Sequence, residues 1–139
     1  MRVLEVWLHD ALVGHISESR KGARFSYAPE VVASMPGVPL LSQCLPVKSR
    51  PFGEVKTANW FEGLLPEGGR RDAICRHLGL NPYDWIGLLA EIGWECAGAV
   101  RVFEQGDERS WAGGYEPLSE SELVDRLADL RARQPIPNG

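Results

Sequence analysis

The order of patterns along these 139 residues predicts an α+β fold. The expected architecture is a small antiparallel sheet of about four to five strands, three central helices and a C-terminal helix. Three observations lead there. Short β-branched and aromatic runs fill the start of the chain. Helical periodicity appears only from Thr57. A strand-like run then returns near Ala97, with one more helical pattern after it. Strands, helices, then a strand and a helix are not the βαβ alternation of a parallel sheet.

Residues 3–8 and 12–16 are apolar, β-branched runs separated by His9-Asp10-Ala11, with Gly14 inside the second. Such a pair reads as a β-hairpin. Arg24-Phe25-Ser26-Tyr27 alternates polar with aromatic, the period of a strand with one buried face, and Pro29 ends it. Residues 35–53 hold Pro36, Pro39, Pro46 and Pro51. Proline lacks a backbone donor and fixes φ, so a long helix is excluded there. Residues 39–45 fit one short strand at a sheet edge.

The period changes at Thr57. Trp60, Phe61, Leu64 and Leu65 share one helical face, with Thr57 as the expected cap and Pro66 as the stop. A second helix fits residues 69–78, where Ile74 and Leu78 are four apart and Gly79 ends the run. A third is expected from Asn81-Pro82, with Asn81 as cap, Pro82 in the first turn and Asp84 near the positive end of the helix dipole. It runs through Trp85, Ile86, Leu88, Leu89 and Ile92 to Gly93.

Residues 97–103 read as a closing strand whose small residues at 97–99 allow close approach. Residues 105–114 have loop composition. Ser119 and Glu122 form a capping box for a helix with Leu123, Leu127 and Leu130 on one face. The domain reading is therefore residues 1–103 as one domain, 104–118 as connector, 119–132 as a C-terminal helix, and 133–139 as a linker or free tail. Its Gln134-Pro135-Ile136-Pro137 composition raises the expectation that a further domain follows.

Composition narrows the function classes. A net charge of −4 and pI near 5.4 oppose a dedicated nucleic-acid binder while leaving room for a local basic patch. Cys44, Cys75 and Cys96 are odd in number and form no C-x-x-C, as expected of reduced thiols in a cytosolic protein. No stretch approaches the roughly 20 apolar residues of a membrane span. Glu5, His9 and Asp10 interrupt any signal-peptide core, so the cytoplasm is the expected location.

Chemistry-bearing patterns are sparse. Gly68-Gly69-Arg70-Arg71 opens a helix whose backbone N–H groups could face an anion, but solvated arginines at a flexible helix start are the simpler reading. His9, His15 and His77 lack ligand spacing, and Glu91 with Glu95 reads as a solvated pair. No base-activated nucleophile is marked. Phosphoryl transfer needs metal-holding acids, a catalytic-loop base and a phosphate lysine. H-R-D and D-F-G are absent, and the only lysines are Lys21, Lys48 and Lys56. No catalytic, cofactor-binding or metal-binding residue is expected. Among the five tryptophans, Trp85 suits the core of its helix and Trp111 lies in the connector. Trp60 and Trp94 border turns and, with Arg70 and Arg71, form the candidate partner-binding set. Arg20, Lys21 and Arg24 are a minor candidate for DNA contact, although such runs are usually a solvated face.

Two segments resemble a known family. Residues 60–68, Trp-Phe-Glu-Gly-Leu-Leu-Pro-Glu-Gly, are similar to the F-F-x-N-L-L-P-[DE] segment of HipA-type proteins. Residues 86–100 resemble that family's D-x-x-x-L-L-x-x-x-G-x-D-x-x-G-A-V. Val6-Trp7-Leu8 with Val13-Gly14 resembles its first hairpin, and residues 115–119 its connector to the kinase core. Trp60, Gly63 and the Trp94-Glu95-Cys96 run depart from the usual residues.

The resemblance implies the N-terminal subdomain of a bacterial serine/threonine kinase toxin of a type II toxin–antitoxin system. ATP and magnesium would then belong to a separate kinase core. The implied partners are that core, in cis or in trans, and a HipB-like DNA-binding antitoxin, with DNA contact only indirect and no membrane. One alternative is a free-standing antitoxin-like subunit that inhibits a separate kinase. The other is an independent enzyme acting on a phosphorylated substrate.

Overall fold

The computed structural model describes residues 1–95 and 100–107. Its elements run β1 (Val3–Leu8), β2 (Ala11–Ser19), β3 (Gly22–Tyr27), α1 (Pro29–Ser34), α2 (Glu54–Glu62), α3 (Gly68–Leu78), α4 (Trp85–Ile92), a 3-10 turn (Gly93–Glu95) and β4 (Val100–Glu104). The α+β expectation holds. The strands form one antiparallel sheet in the order β3-β2-β1-β4. The chain makes a meander and then returns after the helices to pair β4 with β1.

One face of the sheet carries the core. Leu4 pairs with Ile16 and Val6 with Gly14 across β1 and β2, and Ile16 pairs with Phe25 across β2 and β3. A register shift after Val6 lets Val13 bulge out of the ladder. Its carbonyl then accepts from Ala28 N–H at 2.8 Å, which turns the chain from β3 into α1. Phe25 is the hub of the aromatic packing. Its ring centroid lies 4.8 Å from Tyr27, 6.0 Å from Phe52 and 5.3 Å from Phe61. Leu88 and Leu89 of α4 and Phe61 of α2 are fully buried in the same cluster.

Four sequence expectations are corrected. Pro29 does not merely end β3; it occupies the first turn of a short helix, where its missing N–H is harmless. Residues 39–45 do not form an edge strand. The outward N–H of Phe25 donates to Thr57 Oγ1 at 3.1 Å, and its C=O accepts from Phe52 N–H at 2.8 Å. Those bonds occupy the β3 edge at Phe25, a common way of protecting an edge. Residues 39–45 instead fold back as a plug, with Leu40 and Leu45 buried and the Tyr27 hydroxyl donating to the Leu45 carbonyl. Burial pushes the Tyr27 phenol well above its ordinary pKa.

Thr57 is not the cap of α2, which starts at Glu54 behind Gly53. The Thr57 hydroxyl is buried and serves β3. Replacing it by Val keeps the shape but leaves a buried N–H without an acceptor. Thr57→Val should therefore lower stability by about 1–2 kcal/mol, read from urea unfolding. Finally, α4 is capped by Asp84, which accepts from Gly87 N–H at 3.1 Å, while Asn81 accepts from Tyr83 N–H and closes the preceding turn. Trp85 is only partly buried but does pack against the core.

Gly79 ends α3 in the left-handed region, at φ 70°, as its position foretold. The closing strand is described from Val100 onward. The strand start at 97–99, most of the 105–114 loop, the capping-box helix and the terminal linker lie outside the described residues.

Asp84 does more than cap. Arg2, immediately before β1, donates to Glu18 Oε2 at 2.7 Å and to both Asp84 oxygens at 3.1 Å. This guanidinium ties the β1–β2 hairpin to α4. Hydrogen bonding to Arg2 holds the Glu18 carboxyl at about 2 and Asp84 below its ordinary value. Both carboxyls are depressed on folding, so they contribute stability above their unfolded pKa values and lose it as pH falls. For Glu18 the loss runs from about 4.5 down towards 2. Partial exposure screens the clamp, and about 1 kcal/mol is expected from it. Urea titrations at neutral and acid pH should show this loss in the wild type, and Arg2→Met should flatten it. An equal acid loss in Arg2→Met would place the proton-linked stability elsewhere.

Candidate docking surface

A concavity beside the predicted residues lies where α2 ends and α3 begins. It is an open groove of about 410 Å³, lined by Asn59, Glu62, Glu67, Arg71, Asp72 and Tyr83 among others. Leu64 and Leu65 N–H groups bond back to Phe61 and Glu62 carbonyls, so the chain turns tightly out of α2. Pro66 follows, and Gly68 at φ 59° lets the backbone swing into α3.

Arg71 staples this turn. Its Nε donates to the Pro66 carbonyl at 2.9 Å and Nη1 to Glu62 Oε1 at 3.2 Å. Its side chain is only 17% exposed. Arg71 is therefore one wall of the groove, not a solvated cation. Its neighbour Arg70 projects from the first turn of α3 and is exposed. The two arginines, adjacent in sequence, have different surroundings because consecutive helical positions point about 100° apart.

The predicted hot-spot cluster divides in the same way. Phe61 and Leu65 are buried, and Leu64 packs against the core. Trp60 is partly buried with its ring edge-on to Phe61 at 4.8 Å, so it forms a shoulder between core and surface. Trp94 is not in this groove. It stands in the 3-10 turn that packs against β4, and its Nε1 donates to the Glu91 carbonyl at 3.1 Å. Of the predicted set only Arg71 lines the α2–α3 groove; Trp60 on α2 and Arg70 on α3 stand on the two helices that flank it, and Trp94 lies in the 3-10 turn beside β4.

Sequence reasoning missed Tyr83. It is 90% exposed on the turn before α4 and lines the groove. The available signal was an aromatic residue directly after Asn81-Pro82, a turn that presents its third residue outward.

The electrostatics decide what the groove can take. Glu62, Glu67 and Asp72 line it, and Arg71 is already paired with Glu62. A phosphate at the N-terminus of α3 would meet these carboxylates. The enzyme alternative, built on an anion at Gly68 to Arg71, gains nothing from this arrangement. The groove suits a partner surface carrying basic or hydrogen-bond-donating groups beside a flat ring for Tyr83.

Other candidate chemistry is dispersed. Among the described residues no group of three His, Cys, Asp or Glu side chains could hold a metal ion. Cys75 is buried and Cys44 exposed, both as free thiols. No described helix is long and apolar enough to cross a membrane.

Comparison with known proteins supplies the context. The family model described as the HipA N-terminal domain matches residues 4–103, a span that includes every element of the sheet and the helices between its strands. A Sinorhizobium fredii protein, "Putative kinase Y4mE", is 31% identical over 142 aligned positions covering 98% of this chain. The chain spans about a third of that relative's length, 33%. An uncharacterized Haemophilus influenzae protein is 29% identical over 101 positions, which cover 73% of this chain and 91% of that protein. A solved structure of the N-terminal domain of HipA toxin superposes with a TM-score of 0.55. It covers 79% of this chain and 96% of that one at 23% identity, which shows a shared fold.

Proposed function

The chain belongs to the HipA N-terminal domain family, and from that premise we propose that it is the non-catalytic module of a HipA-type serine/threonine kinase of a toxin–antitoxin system. In this reading it acts in the cytoplasm and docks on a kinase core, with a HipB-like antitoxin as the further partner. The observation that carries the reading is one of extent. The family model takes in the sheet and helices, whereas the kinase-named relative is about three times longer than the matched region. ATP and magnesium would sit on the core. The purified chain is expected to transfer no phosphate from ATP, because its sequence offers no set of residues to hold the metal and the phosphates together. Stoichiometric autophosphorylation of the isolated chain would overturn that.

The docking surface in this reading is the rim of the α2–α3 groove. Trp60 and Tyr83 supply aromatic area and Arg70 an exposed cation, the composition of interface hot spots. Arg71 acts indirectly by holding the turn. Trp60→Ala combined with Arg70→Ala is expected to weaken association with a cognate kinase core by about 2 kcal/mol or more in calorimetry. Arg70→Ala alone should leave the thermal midpoint nearly unchanged, since exposed positions rarely cost more than about 0.5 kcal/mol. Unchanged affinity in the double variant would move the interface elsewhere, with the Trp94 edge next in line.

A second reading has its own support. The Haemophilus relative is matched over nearly its full length, so in that organism this fold accounts for most of a separate small protein. A free-standing subunit that restrains a kinase in trans fits that precedent. Adding the purified chain to a kinase core separates the two readings. A fall in core autophosphorylation favours the restraining subunit, and an unaltered rate favours the module.

A further inference from the structure

The chain carries a net charge of −4, yet its three lysines share one side of the fold. Lys48 and Lys56 both stand over the Phe52 ring, their ammonium nitrogens 4.3 and 5.8 Å from its centroid. Arg24 on β3 pairs with Glu54 at the start of α2 at 2.9 Å. Glu54 in turn lies against Gly22, beside the β2–β3 turn that presents Arg20 and Lys21. Arg50 sits between Lys48 and Phe52 in sequence. All six cations are exposed.

Their charge is largely uncompensated. Glu54 is engaged by Arg24, and Glu18 by Arg2. Arg20, Lys21, Lys48, Arg50 and Lys56 make no ion pair among the described residues. Between the β2–β3 turn and Pro51 runs an open groove of about 620 Å³, whose lining includes Met1, Pro51, the unpaired Arg20 and Lys21, and the two engaged carboxylates Glu18 and Glu54. Met1 and Pro51 are exposed. Arg20 and Lys21 thus give one side of a partly apolar groove unpaired positive charge, and Lys48, Arg50 and Lys56 add to it on the neighbouring surface outside the lining.

We propose that this face docks an acidic, amphipathic peptide segment of a partner protein. Carboxylates would meet the lysine and arginine rim, and an apolar side chain would enter the groove over Met1 and Pro51. Complementary charge of this kind sets register and association rate. A nucleic-acid duplex fits less well. Its phosphates need no apolar floor, and a long polyanion would be repelled by the negative remainder of the chain. The surface is separate from the groove assigned to kinase docking, because it lies at the first turn of α2 and that groove lies at the last.

The test uses the full chain and a fluorescein-labelled short peptide of glutamate and leucine, followed by fluorescence anisotropy. A peptide with lysine in place of glutamate and a short DNA duplex are run in parallel. Saturable binding of the acidic peptide is expected, weakening as salt rises. Lys48→Glu with Lys56→Glu should raise its Kd about tenfold or more. Lys21→Ala with Arg50→Ala should raise it too, and keeps both ammonium groups over Phe52, so it carries the test if the first pair disturbs folding. Arg70→Ala should leave it unchanged, which separates this surface from the kinase-docking groove. Absence of saturable binding, a Kd indifferent to both double variants, or tighter binding of the duplex than of the acidic peptide would each overturn the proposal.

Discussion

Phe25→Ala is expected to destabilise the fold by about 3–5 kcal/mol, the range for truncating a buried phenylalanine. Phe25 is fully buried and its ring meets Tyr27, Phe52 and Phe61. Those partners come from β3 itself, from the segment leading into α2, and from α2. The sheet, the segment leading into α2 and the helical layer therefore share one side chain. Truncation removes transfer free energy and leaves a cavity that these three rigid parts cannot readily collapse. A fall of about 10 °C or more in thermal midpoint should follow in a chain of this size. The backbone N–H and C=O of Phe25 keep their bonds to Thr57 and Phe52, so the loss reports packing alone. A loss below about 1 kcal/mol would mean that the aromatic cluster is not the joint between sheet and helices.

Gly14→Ala is expected to cost about 3 kcal/mol, at the upper end for overpacking a well-filled core. A methyl group at Gly14 would collide with the Ser26 carbonyl oxygen and stand 2.7 Å from the Phe25 ring. The first of these is backbone of the neighbouring strand and cannot rotate away. Gly14 must be bare because Phe25 lies across it, so the two effects are coupled. In Phe25→Leu the ring is gone, but the Ser26 carbonyl remains. Gly14→Ala should therefore cost less in the Phe25→Leu background than in the wild type, yet still be destabilising. A double-mutant cycle in urea measures this, and strict additivity would show that the ring is not what the methyl group strikes.

Much of this architecture was legible in the chain alone. The hairpin of β1 and β2, the alternation of β3 and the stop of α3 at Gly79 are local properties. They follow from side-chain period and from the one residue that takes positive φ without strain. Phe61 and Leu65 were readable as an apolar helical face, although the sequence could not say whether that face met a core or a partner. The structure answers that it meets the core. Trp60 and Arg70 kept their candidacy, Arg71 became a staple, and Trp94 fell on another edge.

What escaped the sequence depends on residues distant along the chain. Thr57 looks like a helix cap because the adjacent pattern makes it one. Only the tertiary fold shows its hydroxyl turned towards Phe25, 32 positions away. Residues 39–45 look like an edge strand because short apolar runs between prolines usually are. The bonds made by Phe25 with Thr57 and Phe52 occupy its edge, so the run becomes a plug. Arg2 and Asp84 are 82 positions apart, and neither carries a local mark of the other. The six cations are scattered from residue 20 to residue 56 and read singly as solvated charges. Sequence by itself determined the strands β1 to β3 and the helices α2 to α4, though not α1 or the plug at 39–45, because such elements are set largely by near neighbours through backbone sterics and side-chain period. Tertiary structure alone decided which polar groups are spent inside the fold and which remain for a partner, because hydrogen bonds and ion pairs are chosen by distance in space.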